Sequence, residues 1–403
     1  MMQSTGVPEP APSPAAASAR LEGVDLLRGL VMVVMVLDHT RDYFVDPTIE
    51  PTDLTQASPA LFLSRWITHY CAPTFALLAG VGVRLAANRG TDSGSLARLL
   101  LTRGLWLILL EETVVKLGLF FRFDPNFYLG LVLWSIGGAF ILLSPFVAAR
   151  ASAWLIGAIG LLIVVGHNAL DAIPPDVGGA LRPVVNFLFR PGVIALPGGM
   201  RAFVGYPLLP WFGVVAVGYG LGGVYRLDPR RRRAILATAG LAAIGLFIAL
   251  RASGVYGDPQ PWNREGDATR VALEFLNCTK YPPSLQFLLM TLGPALLALA
   301  AFDRGAGALG KPLVTLGRVP LFFYLLQWYA AHGLALVVAF LRGEPTGWLF
   351  VGSFPFEPPP SWPYSLLALY GWWMLVLAIL YFPCAWFAGY KERHRGSAWL
   401  AYL

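Results

Sequence analysis

Ten apolar stretches, each about as long as a membrane-spanning helix, constrain the fold of this chain more than any other feature. A spanning helix needs about 20 largely apolar residues. Because 56% of the 403 residues are hydrophobic and only 13% are charged, a soluble globule of this size would lack polar side chains to cover its surface. The sequence therefore predicts an all-α, polytopic membrane protein with about ten transmembrane helices. The stretches lie near residues 24–44, 61–87, 97–121, 126–148, 152–170, 206–225, 234–252, 283–302, 313–341 and 364–389.

The chain divides into a membrane domain and two short tails. Residues 1–20 are rich in Pro, Ala and Ser and are predicted to be a disordered tail, residues 21–390 form the membrane domain, and residues 391–403 form a second tail. Lys and Arg cluster in the loops on the side of the termini, whereas the first loop on the other side, 45–60, has acidic residues and neither Lys nor Arg. This distribution predicts cytoplasmic termini and a multi-pass protein of the cytoplasmic membrane.

The formal net charge of +7 needs no nucleic-acid partner. Basic residues on the cytoplasmic side meet anionic lipid, and this attraction accounts for the charge. The partner that the composition predicts is thus the lipid bilayer. A homo-oligomer is compatible with the sequence.

The first apolar stretch carries ionisable residues near its far end, where hydrocarbon makes them expensive and usually functional. They are Asp38, His39, Arg41 and Asp42. At a rise of 1.5 Å per residue, His39 lies roughly 21 Å beyond Asp25, in the outer third of the bilayer. Asp42 follows His39 by three positions, so a carboxylate could fix the imidazole tautomer and leave the other nitrogen free. This predicts His39 as a general base held by Asp42 or Asp38; the alternatives are a satisfied structural histidine and an orienting Asp38–Arg41 ion pair.

Other helices place polar residues at a similar depth. His69 lies in the second stretch and Glu112 and Lys116 lie in the third. The ninth stretch carries Gln327 and His332. Two roles of His69 remain open, a hydrogen bond across helices and a direct contact with the reacting substrate. Glu112 and Lys116 could simply neutralise one another. The candidate catalytic residues are His39, Asp38, Asp42 and His69, and the candidate acceptor-binding residues are Arg41, Arg65, Glu112, Lys280, Gln327 and His332.

Three arginines at the cytoplasmic ends of two consecutive helices, Arg84, Arg98 and Arg103, could hold the phosphates of a nucleotide-bearing donor. Positive-inside topology explains them equally well. The three cysteines, Cys71, Cys278 and Cys384, show neither a disulfide framework nor metal-ligand spacing and are predicted to be small buried hydrophobes. No metal site is expected.

Three long connections, near 171–205, 253–282 and 343–363, are rich in Gly, Pro and aromatic residues. All three are predicted on the outer side, and loops of this length are usually functional. We interpret them as a cap over an outward-facing mouth. The sequence shows no convincing internal repeat, which disfavours a transporter built from paired halves.

Four segments resemble a known enzyme family. They are RLEGVDLLRGLVMVVMVLDHTRDYF, FLSRWITHYCAPTFALLAGVG, NCTKYPPSLQFLLMTLGPALLALA and LGRVPLFFYLLQWYAAHGLAL. They are similar to the bacterial branch of the heparan-α-glucosaminide N-acetyltransferase family over most of the chain after residue 20. The resemblance implies a multi-helix membrane enzyme that takes acetyl from cytoplasmic acetyl-CoA and delivers it to an acceptor, typically an amino sugar, on the far side.

The resemblance carries over residue by residue. Asp25, Arg28 and Gly29 match the opening motif of the family, and counting on from Asp25 puts His39 where lysosomal members have an active-site asparagine. Those members also have a catalytic histidine in the first outer loop, and here that loop, VDPTIEPTDLTQASPA, contains none. His69 stands where these relatives have an acidic residue. Either His39 takes the base role or the mechanism differs.

We therefore expect an acyltransferase that moves an acetyl group from acetyl-CoA to an amine or hydroxyl of a sugar or envelope precursor. His39 would take the proton of the acceptor, and His69 or Lys280 would stabilise the charge on the thioester oxygen. Direct transfer and an acyl-histidine intermediate both remain open. The alternatives are a transporter or permease that uses the same buried charges to bind a solute or proton, and a noncatalytic membrane scaffold.

Overall fold

The computed structural model describes residues 14–46, 48–172, 182–350, 362, 365–394 and 396–403, and most of them are helical. Fifteen α-helices and three short strands are present in these ranges. The helices are α1 Pro14–Phe44, α2 Pro59–Trp66, α3 Cys71–Asn88, α4 Ser93–Leu110, α5 Lys116–Phe120, α6 Val132–Ala148, α7 Ala153–Gly166, α8 Arg182–Phe189, α9 Leu208–Leu221, α10 Pro229–Ser253, α11 Ala268–Leu276, α12 Leu285–Phe302, α13 Gly307–Gly317, α14 Pro320–Arg342 and α15 Leu366–Arg393. The strands are β1 Phe127–Gly130, β2 Gly192–Ala195 and β3 Arg201–Val204.

Among the described residues, eight continuous helical stretches are long and apolar enough to cross a membrane. They correspond to eight of the ten predicted segments. The other two predicted segments are also helical. The shorter of these is α6, and α1 carries charged residues such as Asp38 and Arg41 within its apolar part. The prediction of an all-α polytopic membrane protein is confirmed.

Two predicted segments start differently in the structure. Residues 313–341 were expected as one span, but α13 ends at Gly317 and α14 begins at Pro320, since a proline disfavours helical backbone in the preceding Val319. The segment predicted to start at residue 126 begins as strand β1, and its helix starts only at Val132.

The second span changes to a 3-10 turn at Ile67–Tyr70. Pro73 lacks the N–H that would bond to the carbonyl of residue 69, which accounts for the change.

A small sheet and two long loops gather at the end of the bundle where α1 finishes, which we call the Phe44 end. The sheet has the order β1-β3-β2, with β1 parallel and β2 antiparallel to β3. In the 253–284 loop, the Asn277 side chain donates to the Thr52 carbonyl at 2.9 Å. The predicted third cap segment, 343–363, lies mostly outside the described residues. The opposite end of the bundle, where Asp25 lies, we call the Asp25 end.

Close helix contact between α1 and α13 explains the glycine of the VDLLRG segment. A Cβ atom on Gly29 would lie 1.9 Å from the Leu313 carbonyl oxygen, and one on Gly317 would lie 1.9 Å from the Asp25 carbonyl oxygen. The Arg28 guanidinium reaches across the same contact, donating to Asp25 at 2.8 Å and to the Gly317 carbonyl at 3.2 Å. Small residues let helix backbones approach in this way.

We expect Gly29→Ala to destabilise the folded protein by about 1–3 kcal/mol, because its methyl group would force α1 and α13 apart. Gly333→Ala in α14 is the matched control, since a Cβ there meets nothing within 4 Å. Thermal unfolding in detergent measures the difference. Equal stability of the two variants would show that the α1–α13 contact is not close-packed.

The predicted orientation can be measured by labelling with an impermeant thiol reagent. The three native cysteines are buried, which confirms their predicted role as small hydrophobes and keeps the background low. A cysteine at Met200, which is 42% exposed at the Phe44 end, should react in intact cells. A cysteine at the exposed Arg304 should react only after the membrane is opened. The reverse pattern would place the termini outside.

Candidate functional site

The Asp38 carboxylate at the Phe44 end of α1 is the centre of a buried charge network. Its oxygens accept hydrogen bonds from Arg41, one turn along α1, and from Arg65 in α2, and Lys280 Nζ lies 4.0 Å away. These four side chains are only 6–18% exposed. The predicted Asp38–Arg41 pair is therefore confirmed, and two further cations, from α2 and from the 253–284 loop, join it.

The His39 ring is held by aromatic side chains of α14. Trp328 stacks on it with 4.0 Å between ring centroids, and Tyr324 meets it edge-on at 6.4 Å. The buried Nδ1 atom of His39 has no hydrogen-bond partner in the part of the chain that the structure describes. A ring with fixed orientation and an unpaired nitrogen is suited to taking a proton from a bound group.

The expected carboxylate partner of His39 is not seen among the described residues. Asp38 is engaged by the two arginines, and Asp42 is exposed rather than turned toward the imidazole. Spacing of three along a helix permits contact but leaves the two side chains about 60° apart around the helix axis. Aromatic stacking therefore orients His39, and not a carboxylate.

His69 and Gln327 are buried near this network. His69 lies in the 3-10 turn before α3, is 2% exposed, and packs its ring 5.4 Å from that of Phe287. Its Nδ1 atom has no hydrogen-bond partner among the described residues. Gln327 in α14 is fully buried, and its side chain interacts with that of His39. A buried amide beside the candidate base is a candidate ligand contact.

Glu111, Glu112 and Lys116 connect the end of α4 to helix α6 and to the small sheet. A π-helical turn, Glu111–Val115, lets Glu111 accept from the backbone N–H of Trp134 and Glu112 from that of Leu129, both at 2.8 Å. Lys116 donates to Glu112 at 3.0 Å, which confirms the predicted neutralising pair, and to the Phe127 carbonyl at 2.5 Å. The contacts of Glu112 in this structure are thus to the protein itself.

His332, another candidate, lies further along α14. Its Nδ1 atom is 3.1 Å from the Gly118 carbonyl oxygen, and its ring stacks on Phe121 at 3.8 Å and lies 4.9 Å from Tyr43. It joins α14 to the end of α5. The structure therefore brings together Asp38, His39, Arg41, Arg65 and Lys280, and keeps His332 in a separate packing contact.

Hydrogen bonds to Asp258 hold the loop that carries Lys280 in place. Asp258 accepts from Ser284 Oγ at 2.9 Å and from the backbone and hydroxyl of Thr279. The Lys280 ammonium lies 5.1 Å from the centroid of the Tyr281 ring. Burial would raise the pKa of the Tyr281 phenol, but the nearby Lys280 and Arg65 outweigh burial, so its pKa lies below the usual value. The Phe44 end of the site is therefore electropositive.

A cavity of about 330 Å³ extends from the Asp25 end toward His39. Apolar side chains of α3, α4 and α6 form its walls. Tyr324, whose ring also contacts His39, lines it, as do Pro320 and Leu321 of the first turn of α14. Its four cationic lining residues are Arg28, Arg103, Arg318 and Lys391.

Only one of the three arginines expected at a nucleotide lines this cavity. Arg103 does, and its buried Nε atom has no hydrogen-bond partner in the described structure. Arg98 is exposed, since five residues along α4 turn it to another face. The Arg84 guanidinium lies 5.6 Å from the centroid of the Tyr219 ring, away from the cavity. Arg84 and Arg98 thus lie outside the cavity, and membrane topology explains the exposed Arg98.

Sequence reasoning missed the role of Arg28. Arg28 and His39 are eleven residues apart, which is close to three helical turns, so they share one face of α1 roughly 16 Å apart. Arg28 lines the cationic part of the cavity, and His39 contacts Tyr324 at the other part. The spacing was visible in the sequence. Arg318, Lys391 and Tyr324 carried no comparable signal, because only tertiary packing brings them there.

Across the described residues, no three His, Cys, Asp or Glu side chains come together as a metal site would require. The candidate site is thus built from imidazole, guanidinium, ammonium, amide and aromatic groups. Such groups can bind anions, take up a proton and donate hydrogen bonds to a developing oxyanion.

Comparison with known proteins identifies the family. The family model described as heparan-alpha-glucosaminide N-acetyltransferase, catalytic, matches residues 20–253. This match covers α1 to α10 and includes Arg28, His39, His69 and Arg103. No curated protein sequence matches the chain. Because the match spans more than half of the chain, the protein belongs to the heparan-alpha-glucosaminide N-acetyltransferase catalytic-domain family.

Proposed function

We propose that this protein transfers an acetyl group from cytoplasmic acetyl-CoA to an amine or hydroxyl of a sugar or envelope precursor on the opposite side of the membrane. Membership of the family supports a membrane acetyltransferase-type function. The observation that carries the finer proposal is the shared face of α1, where Arg28 lines a cationic cavity and His39 lies three turns farther on. Donor and base would then lie on one path through the bundle.

The Asp25 end of the cavity suits the phosphates of coenzyme A. Arg28, Arg103, Arg318 and Lys391 supply four positive charges there. The first turn of α14 lines the same cavity, and a helix N-terminus adds unpaired N–H groups and a favourable dipole. The apolar walls suit the pantetheine arm. Its extended length is comparable with the distance of roughly 16 Å between Arg28 and His39 along the helix.

The chemistry follows from the position of His39. Its unpaired nitrogen takes the proton of the acceptor N–H or O–H as the acceptor atom forms a bond to the thioester carbonyl carbon. The carbon–sulfur bond then breaks, and the imidazolium returns the proton to the departing thiolate. Charge that develops on the carbonyl oxygen is stabilised by Lys280, by His69, or by the buried amide of Gln327.

Asp38 has a different role in this proposal from the one expected from spacing. It neutralises Arg41 and Arg65 and holds them in place beside His39. Asp42, exposed at the Phe44 end, faces the side from which the acceptor would arrive. Together with Lys280 and Arg65 it forms the acceptor side of the site.

Turnover of the purified protein tests the proposal. With radiolabelled acetyl-CoA and a panel of amino sugars and glycan precursors, we expect label to move to at least one acceptor. Solute uptake by proteoliposomes without consumption of acetyl-CoA would instead identify a permease, and a lack of transfer to every acceptor would contradict the proposal.

Arg103→Gln should weaken acetyl-CoA binding by about 10- to 150-fold, since a charge-assisted contact contributes about 1.5–3 kcal/mol. Arg98→Gln is the matched control on the same helix, because Arg98 is exposed and does not line the cavity. Calorimetric titration of the detergent-solubilised variants gives both affinities. Equal affinity of the two variants would remove Arg103 from the donor site.

A further inference from the structure

Tyr324 occupies the boundary between the cavity and His39. Its side chain lines the cavity, yet its ring also meets the His39 ring edge-on at 6.4 Å and the Trp328 ring edge-on at 6.3 Å. Tyr324 is 6% exposed and Trp328 is 3% exposed. Among the described residues that line the cavity, His39 and Trp328 are absent. Tyr324 is therefore the lining residue of the cavity whose ring meets the candidate base.

We propose that Tyr324 sets the length of the acyl chain that the enzyme transfers. The inference rests on the proposed function, in which the thioester enters from the cationic end of the cavity. To present its carbonyl carbon to His39, the donor must place its acyl group beside Tyr324. There the acyl group meets the tyrosine ring, and the stacked His39–Trp328 pair lies beyond that ring.

The packing around Tyr324 limits the movement of its ring toward His39 and Trp328. Edge-on contacts with the His39 and Trp328 rings support the Tyr324 ring on the side away from the cavity, so it cannot retreat in that direction without disturbing close-packed neighbours. A methyl group adds little volume beyond the thioester carbonyl, whereas we expect each further methylene to press against the Tyr324 ring. The selectivity of an apolar pocket for one methylene is about 10- to 200-fold.

The test compares acyl donors rather than total activity. We expect wild-type protein to use acetyl-CoA well and butyryl-CoA poorly, as ratios of kcat/KM. Tyr324→Ala should raise the butyryl-to-acetyl ratio by about tenfold or more, because it removes the ring that limits the chain. Tyr324→Phe should leave the ratio near the wild-type value, because the ring remains. Tyr324→Leu is the substitute if the alanine variant does not fold, with a smaller rise expected.

Phe322→Ala serves as the matched control, since Phe322 lies on the same helix but stacks on Phe387 at 4.4 Å and does not line the cavity. It should not change the donor ratio. An unchanged ratio in Tyr324→Ala or Tyr324→Leu, with acetyl transfer retained, would overturn the role of Tyr324 and leave the proposed function standing. A rise in Tyr324→Phe equal to that in Tyr324→Ala would also overturn it. If wild-type protein consumes no acyl-CoA at all, the proposed function itself fails.

Discussion

Replacement of His39 by alanine is expected to slow acetyl transfer by about 10²- to 10⁴-fold, the usual contribution of a positioned general base. Affinity for acetyl-CoA should change little, because the cationic residues lie roughly 16 Å away along α1. The variant should still fold, since the buried Nδ1 atom of His39 has no hydrogen bond to lose among the described residues. Turnover of labelled acetyl-CoA by purified variants is the measurement.

The control for this experiment is His394→Ala, which removes an exposed histidine at the end of α15. It should retain wild-type turnover. Near-wild-type turnover in His39→Ala would remove His39 from the mechanism and transfer the role to His69, the other buried imidazole of this region with an unpaired nitrogen. A large loss of acetyl-CoA affinity in His39→Ala would point to a binding role instead of a base.

Replacement of Asp38 by asparagine should give the largest loss of stability, about 3–5 kcal/mol. The reason is that Arg41 and Arg65, both largely buried, would lose the carboxylate that neutralises them. Removal of one partner from a buried ion pair leaves an uncompensated charge, and this costs more than the pair itself contributes. Thermal unfolding in detergent or lipid nanodiscs, followed by near-UV circular dichroism, measures the effect.

Glu265→Gln is the control, because Glu265 is an exposed carboxylate in the 253–284 loop, away from this network. Its stability should remain within about 0.5 kcal/mol of wild type, as for most surface substitutions. The double variant Asp38→Asn, Arg65→Met should recover part of the lost stability, because it removes one of the two uncompensated arginine charges. Equal stability of Asp38→Asn and wild type would mean that the buried network is already compensated by solvent.

The sequence predicted the membrane spans well because hydrocarbon leaves few alternatives to helices. Its errors lie where local chemistry overrides hydropathy. Pro320 ends one helix and starts another, and residues 127–130 pair with β3 although they continue an apolar run. The Glu112–Lys116 and Asp38–Arg41 pairs were predictable, since helical spacing fixes which side chains are neighbours.

Contacts between distant segments could not be predicted from the sequence. The spacing of His39 and Asp42 suggested a pair that is not seen, whereas the ring that does hold His39 is Trp328, 289 positions later in the chain. Nothing local distinguishes Arg103 from Arg98, and their roles separate only when α4 packs against α6 and one face becomes the wall of a cavity. The helix period could have linked Arg28 to His39, because that relation lies within one element.

The central claim is that one path through the bundle leads from the cationic cavity to His39. A cryo-electron microscopy structure of the protein with a non-hydrolysable acetyl-CoA analogue tests it most directly. The account predicts phosphate density against Arg28 and Arg103 and the acyl carbonyl beside Tyr324, within hydrogen-bond reach of His39 through the acceptor. Nucleotide density elsewhere, or an acyl group on the far side of α1 from His39, would contradict it.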